Sequence, residues 1–282
     1  MLRQRIITAL ALVGLLLLTL SVGSTWPFAL LTLALIAAAG WEWARLNQAG
    51  PGLALAMGAA LAATGALTWV AGWQDHAPGI VWWLVAALWC GAGTVALRSG
   101  PAAWPQLPRV ARWLLGGVAL WAAWLAIAHA RAVGINFLLS VLCLVWMADI
   151  AAYAGGRAFG RRKLAPSISP GKSWEGVWSG MAGVLVLAAL WLWIDGRFNV
   201  DGPSLYARLW QGLGVVGMVA ALLALCGLSV LGDLVESLVK RAAGAKDSSR
   251  LLPGHGGVLD RADALLPVMP AAMALMTLVG PA

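Results

Sequence analysis

Residues 209–241 read LWQGLGVVGMVAALLALCGLSVLGDLVESLVKR, and the run from Leu209 to Gly232 contains no charged residue. A helix that crosses a bilayer needs about 20 mostly apolar residues, so this run is long enough for one span. If the helix continues, the next polar residues fall on one of its faces, with the spacing i, i+3, i+4 and i+7. These residues are Asp233, Glu236, Ser237 and Lys240. The stretch therefore predicts a membrane-spanning helix with a polar face at one end.

The rest of the chain has the same apolar character. Its 282 residues are 61% hydrophobic and 11% charged, with a mean hydropathy of +0.84. Such a composition excludes an ordinary soluble domain. Uncharged runs recur, and the first is long enough for two spans: 6–41, 46–74, 77–97, 113–128, 132–148, 177–194, 209–232 and 264–282. We predict an all-α, polytopic integral membrane protein with about nine transmembrane helices.

Basic residues are distributed unevenly over these predicted spans. With the N-terminus inside, all but three of the 19 Lys and Arg residues lie on one side, the exceptions being Arg131, Arg197 and Arg208. This positive-inside pattern predicts a cytoplasmic N-terminus. The basic start at Arg3 and Arg5 is interpreted as the flank of a retained first span rather than as a signal peptide. The net charge of +8 is therefore assigned to topology, and no nucleic-acid partner is expected.

The two parts of the chain differ in chemistry. Residues 1–130 contain apolar helices with few charges, and we expect them to be a scaffold that faces lipid or a dimer partner. We expect Glu42 to cap its helix or to pair with Arg45, three residues further on. Residues 131–282 are expected to form a transmembrane catalytic region with its active site at the cytoplasmic face. The three cysteines are isolated in apolar runs, which predicts packing rather than metal binding.

The segment from Asp233 to Asp263 concentrates both signs of charge beside a membrane span. Acids there can hold hard cations and bases can hold phosphate, a pairing typical of phosphoryl or nucleotidyl transfer. Asp260 shares a helical face with Asp263 at the start of the last run, and Asp149 follows an uncharged run. Acids within the membrane are functional candidates by default. The alternative is that Asp233, Glu236 and Lys240 form a salt-bridge ladder among themselves.

Two glycine-containing motifs suggest nucleotide binding, but their context argues against it. Gly171-Lys172-Ser173 lacks the P-loop glycine five residues earlier, where Pro166 stands, and no strand pattern precedes it. The residues from Gly212 to Gly217 fit G-x-G-x-x-G but lie inside an apolar span. We expect these last glycines to permit close helix packing instead.

Motifs in the second half of the chain resemble the phosphatidate cytidylyltransferases (CDP-diacylglycerol synthases) of bacteria. The downstream motif residues are Ser237-x-x-Lys240-Arg241, Lys246-Asp247, Pro253 and His255-Gly256-Gly257-x-x-Asp260-Arg261-x-Asp263. The upstream ones are Asp149-x-x-x-Tyr153-x-x-Gly156-Arg157-x-Phe159-Gly160 and Ser169-Pro170-x-Lys172-Ser173-x-Glu175-Gly176. The resemblance covers the polar parts of residues 149–263 and is highly specific. Ala262 is a small departure, since the family more often has a larger hydrophobic residue there.

The resemblance implies a homodimeric enzyme of phospholipid biosynthesis in the bacterial cytoplasmic (inner) membrane, with its active site facing the cytoplasm. The implied reaction transfers CMP from CTP to phosphatidic acid and gives CDP-diacylglycerol and pyrophosphate. The implied cofactor is Mg²⁺, and a second, monovalent cation such as K⁺ is compatible with it. Because a phosphate monoester has its second pKa at about 6 and is largely dianionic at neutral pH, no strong general base is required.

The predicted site residues fall into groups by role. Asp233, Asp260 and Asp263 are the predicted ligands of Mg²⁺. The predicted catalytic residues are these three acids together with Ser237, Lys240, Arg241, Lys246, Asp247 and His255. The predicted substrate-binding residues are Asp149, Tyr153, Arg157, Lys163, Lys172, Ser173, Glu236 and Arg261. His255 can donate to a phosphate oxygen or support a turn, and the sequence leaves both open.

Other activities are compatible with the same residues. A CTP-dependent lipid kinase, or a cytidylyltransferase acting on another lipid phosphate, would need similar charged groups. A transporter would also place acids in the membrane. Its acids would lie near the midplane between broken helices, whereas here the charges cluster at one face.

Overall fold

The chain folds mainly into helices. The computed structural model describes residues 2–198 and 200–280, with the side chains of residues 7, 8, 10–198 and 200–280. The helices are α1 (Leu2–Ser21), α2 (Trp26–Leu46), α3 (Pro51–Val70), α4 (Trp73–His76), α5 (Gly79–Leu88), α6 (Thr94–Ser99), α7 (Arg109–Val133), α8 (Ile135–Phe159), α9 (Trp174–Asp195), α10 (Leu205–Ala242), α11 (Leu259–Ala262) and α12 (Leu265–Val279). A π-helical turn, Trp89–Gly93, joins α5 to α6.

Eight helical segments in the described ranges are long and apolar enough to cross a membrane. They are α2, α3, the segment Gly79–Ser99, α7, α8, α9, α10 and the segment Leu259–Val279. The predicted all-α membrane fold is thus confirmed. In α1 the apolar segment is the shorter Leu10–Ser21, so the ninth span and the side of the N-terminus remain predictions. The side chains of Arg3 and Arg5, and residues 281–282 of the last apolar run, lie outside the described residues.

Helix α7 lies at the centre of the bundle, with α2, α3, α8 and α12 packed around it. Trp43 of α2 donates from Nε1 to the main-chain oxygen of Arg112 at 2.8 Å. Gly116 makes room for this ring, because a Cβ there would lie 2.0 Å from the Nε1 atom of Trp43. Such close packing and buried hydrogen bonds hold helices together in lipid, where hydrophobic burial between helices gives little driving force.

Helices α8 and α9 pack closely through small residues. A Cβ at Gly176 would lie 2.9 Å from the main-chain oxygen of Ala152, and one at Gly180 would lie 2.8 Å from that of Ala148. Because only glycine allows this approach, the two helices are fixed against each other beside Asp149.

Helix α10 is much longer than a bilayer is thick. Of its 38 residues, 215–242 lie beyond a kink at Gly214 and correspond to about 42 Å of straight helix, against about 30 Å of hydrocarbon core. The extra length carries the polar end beyond the apolar run, as predicted. Of the predicted packing glycines, Gly212 does pack closely, since a Cβ there would lie 2.5 Å from that of Val279. Gly214 instead interrupts the helix with φ 68° and ψ 179°, a conformation that favours glycine.

A short hairpin between α8 and α9 was not predicted. Strand β1 (Lys163–Ala165) pairs antiparallel with β2 (Ser169–Ser173), with Lys163 opposite Ser173 and Ala165 opposite Ser169. The expectation of no strand in this loop is therefore wrong. Pro166 and Pro170 hide the signal, because prolines disfavour strand assignment in such short segments. The hairpin lies next to the end of α10 and closes one side of the site described below.

Candidate active site

A cavity of about 670 Å³ lies between α8, the hairpin, the end of α10 and the start of the last span. It brings together most of the residues predicted from the sequence. Those that line it are Asp149, Tyr153, Arg157, Lys172, Ser173, Asp233, Lys240, Asp247, Asp260, Arg261 and Asp263. Segments distant in the chain thus supply acids and bases to one chamber.

One wall of the cavity is a face of α8. Asp149, Tyr153 and Arg157 follow one another at intervals of four residues, which places them on the same side of the helix. Arg157 donates from Nη1 to the Tyr153 hydroxyl at 3.5 Å, a weak contact that leaves the guanidinium accessible. This wall therefore presents one acid and one base to the chamber.

The hairpin and the start of α9 form a second wall. Ser173 caps α9, since its Oγ accepts from the main-chain nitrogen of Gly176 at 3.2 Å. Glu175 accepts from the main-chain nitrogens of Arg161 and Arg162 at 3.0 and 3.1 Å. These bonds fix the connection from α8 to β1 and so hold Lys172 of β2 at the cavity.

Lysines pair with two of the acids that line the cavity and with one acid beside it. Lys172 forms an ion pair with Asp233 across the chamber. The Nζ atom of Lys240 lies 2.5 Å from Oε2 of Glu236 and 2.7 Å from Oδ1 of Asp260. The salt-bridge ladder considered above therefore exists only between Glu236 and Lys240, and Asp233 reaches to the hairpin instead.

The loop before α11 wraps around the carboxylate of Asp260. Its Oδ2 accepts from the main-chain nitrogen of Ser248 at 2.9 Å, from the Ser248 hydroxyl at 2.8 Å and from the nitrogen of Gly257 at 2.7 Å. Gly256 has φ 81°, and a Cβ there would lie 2.7 Å from the same oxygen. The glycine after His255 thus approaches a carboxylate of the protein itself.

The remaining predicted metal ligands lie where α10 meets the last span. A Cβ at Gly232 would lie 2.5 Å from the main-chain oxygen of Asp263, so the two segments touch beside Asp233. In the described ranges no three His, Cys, Asp or Glu side chains form a ready-made metal site. Mg²⁺ commonly uses one or two carboxylates together with substrate phosphates and water. The acidic lining therefore fits an ion that binds together with a nucleotide, and the ligand set remains a prediction.

Some predicted residues lie beside the cavity rather than in its lining: Lys163, Glu236, Ser237, Arg241, Lys246 and His255. Ser237 donates from Oγ to Oδ1 of Asp233 at 3.3 Å, so it touches a lining acid. Glu236 is almost fully buried beneath Lys240. Ser237 and Glu236 therefore contact the lining residues Asp233 and Lys240 and hold them in position.

Arg241 and His255 have structural contacts in the surrounding loops. Arg241 donates from Nε to the main-chain oxygen of Ile168 at 3.3 Å, which ties α10 to the hairpin. The main-chain oxygen of His255 accepts from Nε and Nη2 of Arg261 at 3.1 and 2.7 Å. Lys163 and Lys246 are exposed. Their predicted roles with substrate remain predictions.

Glu42 is a residue of this region that the sequence analysis placed elsewhere. It accepts from the hydroxyl of Ser249 and from the main-chain nitrogens of Val258 and Leu259. The guanidinium of Arg45, its expected partner, lies over the ring of Trp41 at 4.9 Å. An acid directly after the uncharged run 6–41 was a usable signal, because such acids are expensive in a membrane. Its partners, some 206 to 217 residues away, could not be inferred from spacing.

Comparison with known proteins supports the same chemistry. The family model described as "Cytidylyltransferase family" matches residues 3–279. The chain is 38% identical to the phosphatidate cytidylyltransferase of Pseudomonas aeruginosa, over 99% of this chain and 98% of that protein. It is 48% identical to that of Haemophilus influenzae over 49% of this chain and 44% of that protein. For Brucella melitensis the identity is 45%, over 52% of this chain and 47% of that protein.

These matches decide between the interpretations left open by the sequence. The family model covers almost the whole chain, including the helices that carried no recognisable motif. The transporter alternative is thereby excluded, and the resemblance seen in the motifs is confirmed. Because the family model matches residues 3–279 and a full-length relative is 38% identical, the chain belongs to the cytidylyltransferase family.

Proposed function

We propose that the chain transfers CMP from CTP to phosphatidic acid, giving CDP-diacylglycerol and pyrophosphate. The observation that carries the proposal is the chamber in which Lys172, Arg157 and Arg261 face a group of acids. Two polyanionic reactants repel one another, and fixed positive charge around them lowers that repulsion in the transition state. The relatives named above bear the name of this activity.

The chemistry follows from the reactants. An oxygen of the phosphatidate phosphate attacks the α-phosphorus of CTP, and the bond from that phosphorus to the oxygen bridging to the β-phosphate breaks. Pyrophosphate leaves with the electron pair of that bond, and no proton has to be removed from a dianionic nucleophile. Lys172 and Arg157 would bind and orient phosphate oxygens, which holds the reactants in line.

The acids suit a divalent ion brought in with the nucleotide. Asp233 and Asp263 would hold Mg²⁺ together with phosphate oxygens, and Asp260 would join them if it exchanged Lys240 for the ion. When bound, the ion would neutralise phosphate charge at the reacting centre. Release of Lys172 from Asp233 would then free its ammonium group for a phosphate oxygen. A second cation such as K⁺ is part of the proposal from resemblance alone.

The proposed location is the bacterial inner membrane, with the chamber open to the cytoplasm. The support is the positive-inside distribution, which assigns the basic ends of α8 and α10 to the cytoplasmic side. CTP is found in that compartment, and the lipid substrate lies in the membrane beside the chamber. We also propose a homodimer, for which the support is the family resemblance.

Incubation of the purified full-length protein with CTP, phosphatidic acid and Mg²⁺ tests the proposal. CTP labelled at the α-phosphate should yield a labelled lipid, while CTP labelled at the γ-phosphate should yield labelled pyrophosphate only. A lipid labelled from the γ-phosphate would instead indicate a CTP-dependent kinase. Turnover with a different lipid phosphate but not with phosphatidic acid would contradict the proposed substrate.

A further inference from the structure

Glu42 is a fully buried acid that belongs to α2, outside the region that carries the motifs. Its side chain is 0% exposed. It accepts from the Ser249 hydroxyl at 2.6 Å and from the main-chain nitrogens of Val258 and Leu259 at 3.0 and 2.7 Å. Within the described part of the chain, no Lys or Arg forms an ion pair with it. A buried carboxylate is costly unless hydrogen bonds compensate it, so these donors hold it in one position.

A serine connects Glu42 to the cavity. The hydroxyl of Ser248 lies 2.8 Å from Oδ2 of Asp260 and 3.2 Å from Oε2 of Glu42. A hydroxyl carries one proton, so Ser248 donates to one of these carboxylates at a time, and Glu42 and Asp260 share it as a donor. Asp260 in turn binds Lys240 at the cavity. A continuous path thus runs from α2 to a lysine of the proposed active site.

The tight packing at Gly257 gives independent support for the contact between Glu42 and Ser248. A Cβ at this position would lie 2.1 Å from the Ser248 hydroxyl and 2.4 Å from Oε1 of Glu42. Both distances are far below van der Waals contact, so a larger residue would displace one of the two side chains. The second glycine of the motif is therefore required by an acid from the other half of the chain.

We propose that Glu42 is a positioning residue for the transfer reaction. Its carboxylate holds the loop of residues 248–259 against α2, and Ser248 passes this constraint to Asp260 and Lys240. Glu42 is not one of the residues that line the cavity, so it would act through these residues. The inference rests on the proposed function for its kinetic consequence, whereas its consequence for the loop does not depend on it.

The test is Glu42→Gln in the full-length protein, reconstituted in lipid nanodiscs. The amide nitrogen is a donor and would face the hydrogen-bond donors of the loop, so at least one bond is lost. Arg250 in this loop and Lys246 just before it are exposed and are trypsin sites. We expect faster cleavage after both residues and a fall in kcat of about 10- to 100-fold. KM for CTP should change less than kcat, because the binding residues remain.

A matched control is Asp201→Asn. Asp201 also accepts two main-chain N–H groups, from Ile135 and Asn136 at 2.5 and 2.9 Å, but at the other end of α8. It should lower the unfolding temperature, by less than Glu42→Gln does because Asp201 is exposed, without altering cleavage after Lys246 or the value of kcat. Equal losses of kcat in both variants would show a general stability effect and overturn the proposal.

Ser248→Ala and Ser249→Ala separate the two parts of the path. Ser248→Ala removes the link to Asp260 and should lower kcat, while Ser249→Ala loosens only the loop and should speed cleavage. If Glu42→Gln does not fold, Ser249→Ala replaces it as the test of the loop. An unchanged cleavage rate in Ser249→Ala would then refute the proposal that Glu42 holds the loop. If the parent protein makes no CDP-lipid, the proposed function fails, but the cleavage comparison still decides whether Glu42 holds the loop.

Discussion

The two ends of helix α8 hold acids in opposite ways. At its N-terminal end, Asp201 accepts from two main-chain nitrogens of the helix. Asp195 nearby accepts from the Asn136 amide at 2.9 Å and from the Ser204 hydroxyl at 2.5 Å. Neutral donors satisfy both carboxylates. At the C-terminal end, two acids of the chamber are paired with lysines: Asp233 with Lys172 and Asp260 with Lys240.

The difference separates structural from functional acids. Asp195 and Asp201 are bound by neutral donors alone, whereas Asp260 accepts from main-chain nitrogens and also from Lys240. Lysine side chains are flexible, so they can exchange a carboxylate for a phosphate oxygen when a substrate arrives. Two lysine-paired acids, Asp233 and Asp260, line the 670 Å³ chamber, whereas Asp195 and Asp201 do not. A reaction between two anions needs positive charge in the cavity, and lysines that can move from a carboxylate to a phosphate supply it.

The largest effect is expected from Asp260→Asn and Asp263→Asn. Both remove negative charge from the chamber, and we expect CDP-diacylglycerol formation to fall by about 100- to 1,000-fold or more, because fixed charge at the reacting centre is lost. Radiochemical assay of membranes with matched protein levels measures it. Immunoblotting of the membrane fraction checks insertion, which should stay intact. Substantial turnover in either variant would defeat the assignment of that acid.

Lys172→Met should have the next largest effect. It removes a phosphate-binding charge and leaves Asp233 unpaired, so kcat/KM for CTP should fall by about 10- to 100-fold. The double variant Lys172→Met/Asp233→Asn should lose less than the product of the two single losses, since the residues are in contact. Unchanged kinetics in Lys172→Met would remove this lysine from the site.

Asp201→Asn should affect stability rather than activity. The substitution replaces one of the two carboxylate oxygens that accept from the main-chain nitrogens of Ile135 and Asn136, and should cost about 0.5–1.5 kcal/mol in the free energy of unfolding. Thermal unfolding in detergent measures this, and kcat measured well below the unfolding temperature should equal that of the parent. A selective loss of kcat would erase the distinction between the two ends of α8.

The smallest effect is expected from Arg45→Ala. Its guanidinium lies over the Trp41 ring at 4.9 Å, a contact that contributes about 0.5–1 kcal/mol at an exposed site. A shift in unfolding temperature near the detection limit, with unchanged turnover, is the expected result. A loss of activity like that of Glu42→Gln would mean that Arg45 does cooperate with Glu42.

Much of the fold was predictable because apolar runs and membrane thickness together determine the spans. Residues 209–241 predicted that α10 would extend past its apolar part, and it does. The hairpin escaped prediction because Pro166 and Pro170 obscure short strands. The kink at Gly214 could not be distinguished from close helix packing, since both uses of glycine leave the same sequence pattern.

The site was predictable as a set of residues but not as a set of contacts. The charged motifs after Asp149 indicated the lining, because charges are rare in a membrane chain. The pairing of Lys172 with Asp233 joins residues 61 positions apart, and spacing on one helix carries no information about it. Glu42 was assigned a local partner for the same reason, although its partners are in the loop of residues 248–259.

If the chamber is the active site, CTP binds in it, and phosphate oxygens replace the acids as partners of the lysines. An experimental structure of the protein with Mg²⁺ and a CTP analogue that cannot transfer CMP tests it most directly. We predict the triphosphate in the chamber, with Lys172 moved from Asp233 to a phosphate oxygen at about 2.8 Å. A nucleotide bound elsewhere, with the ion pair of Lys172 and Asp233 intact, would contradict the claim.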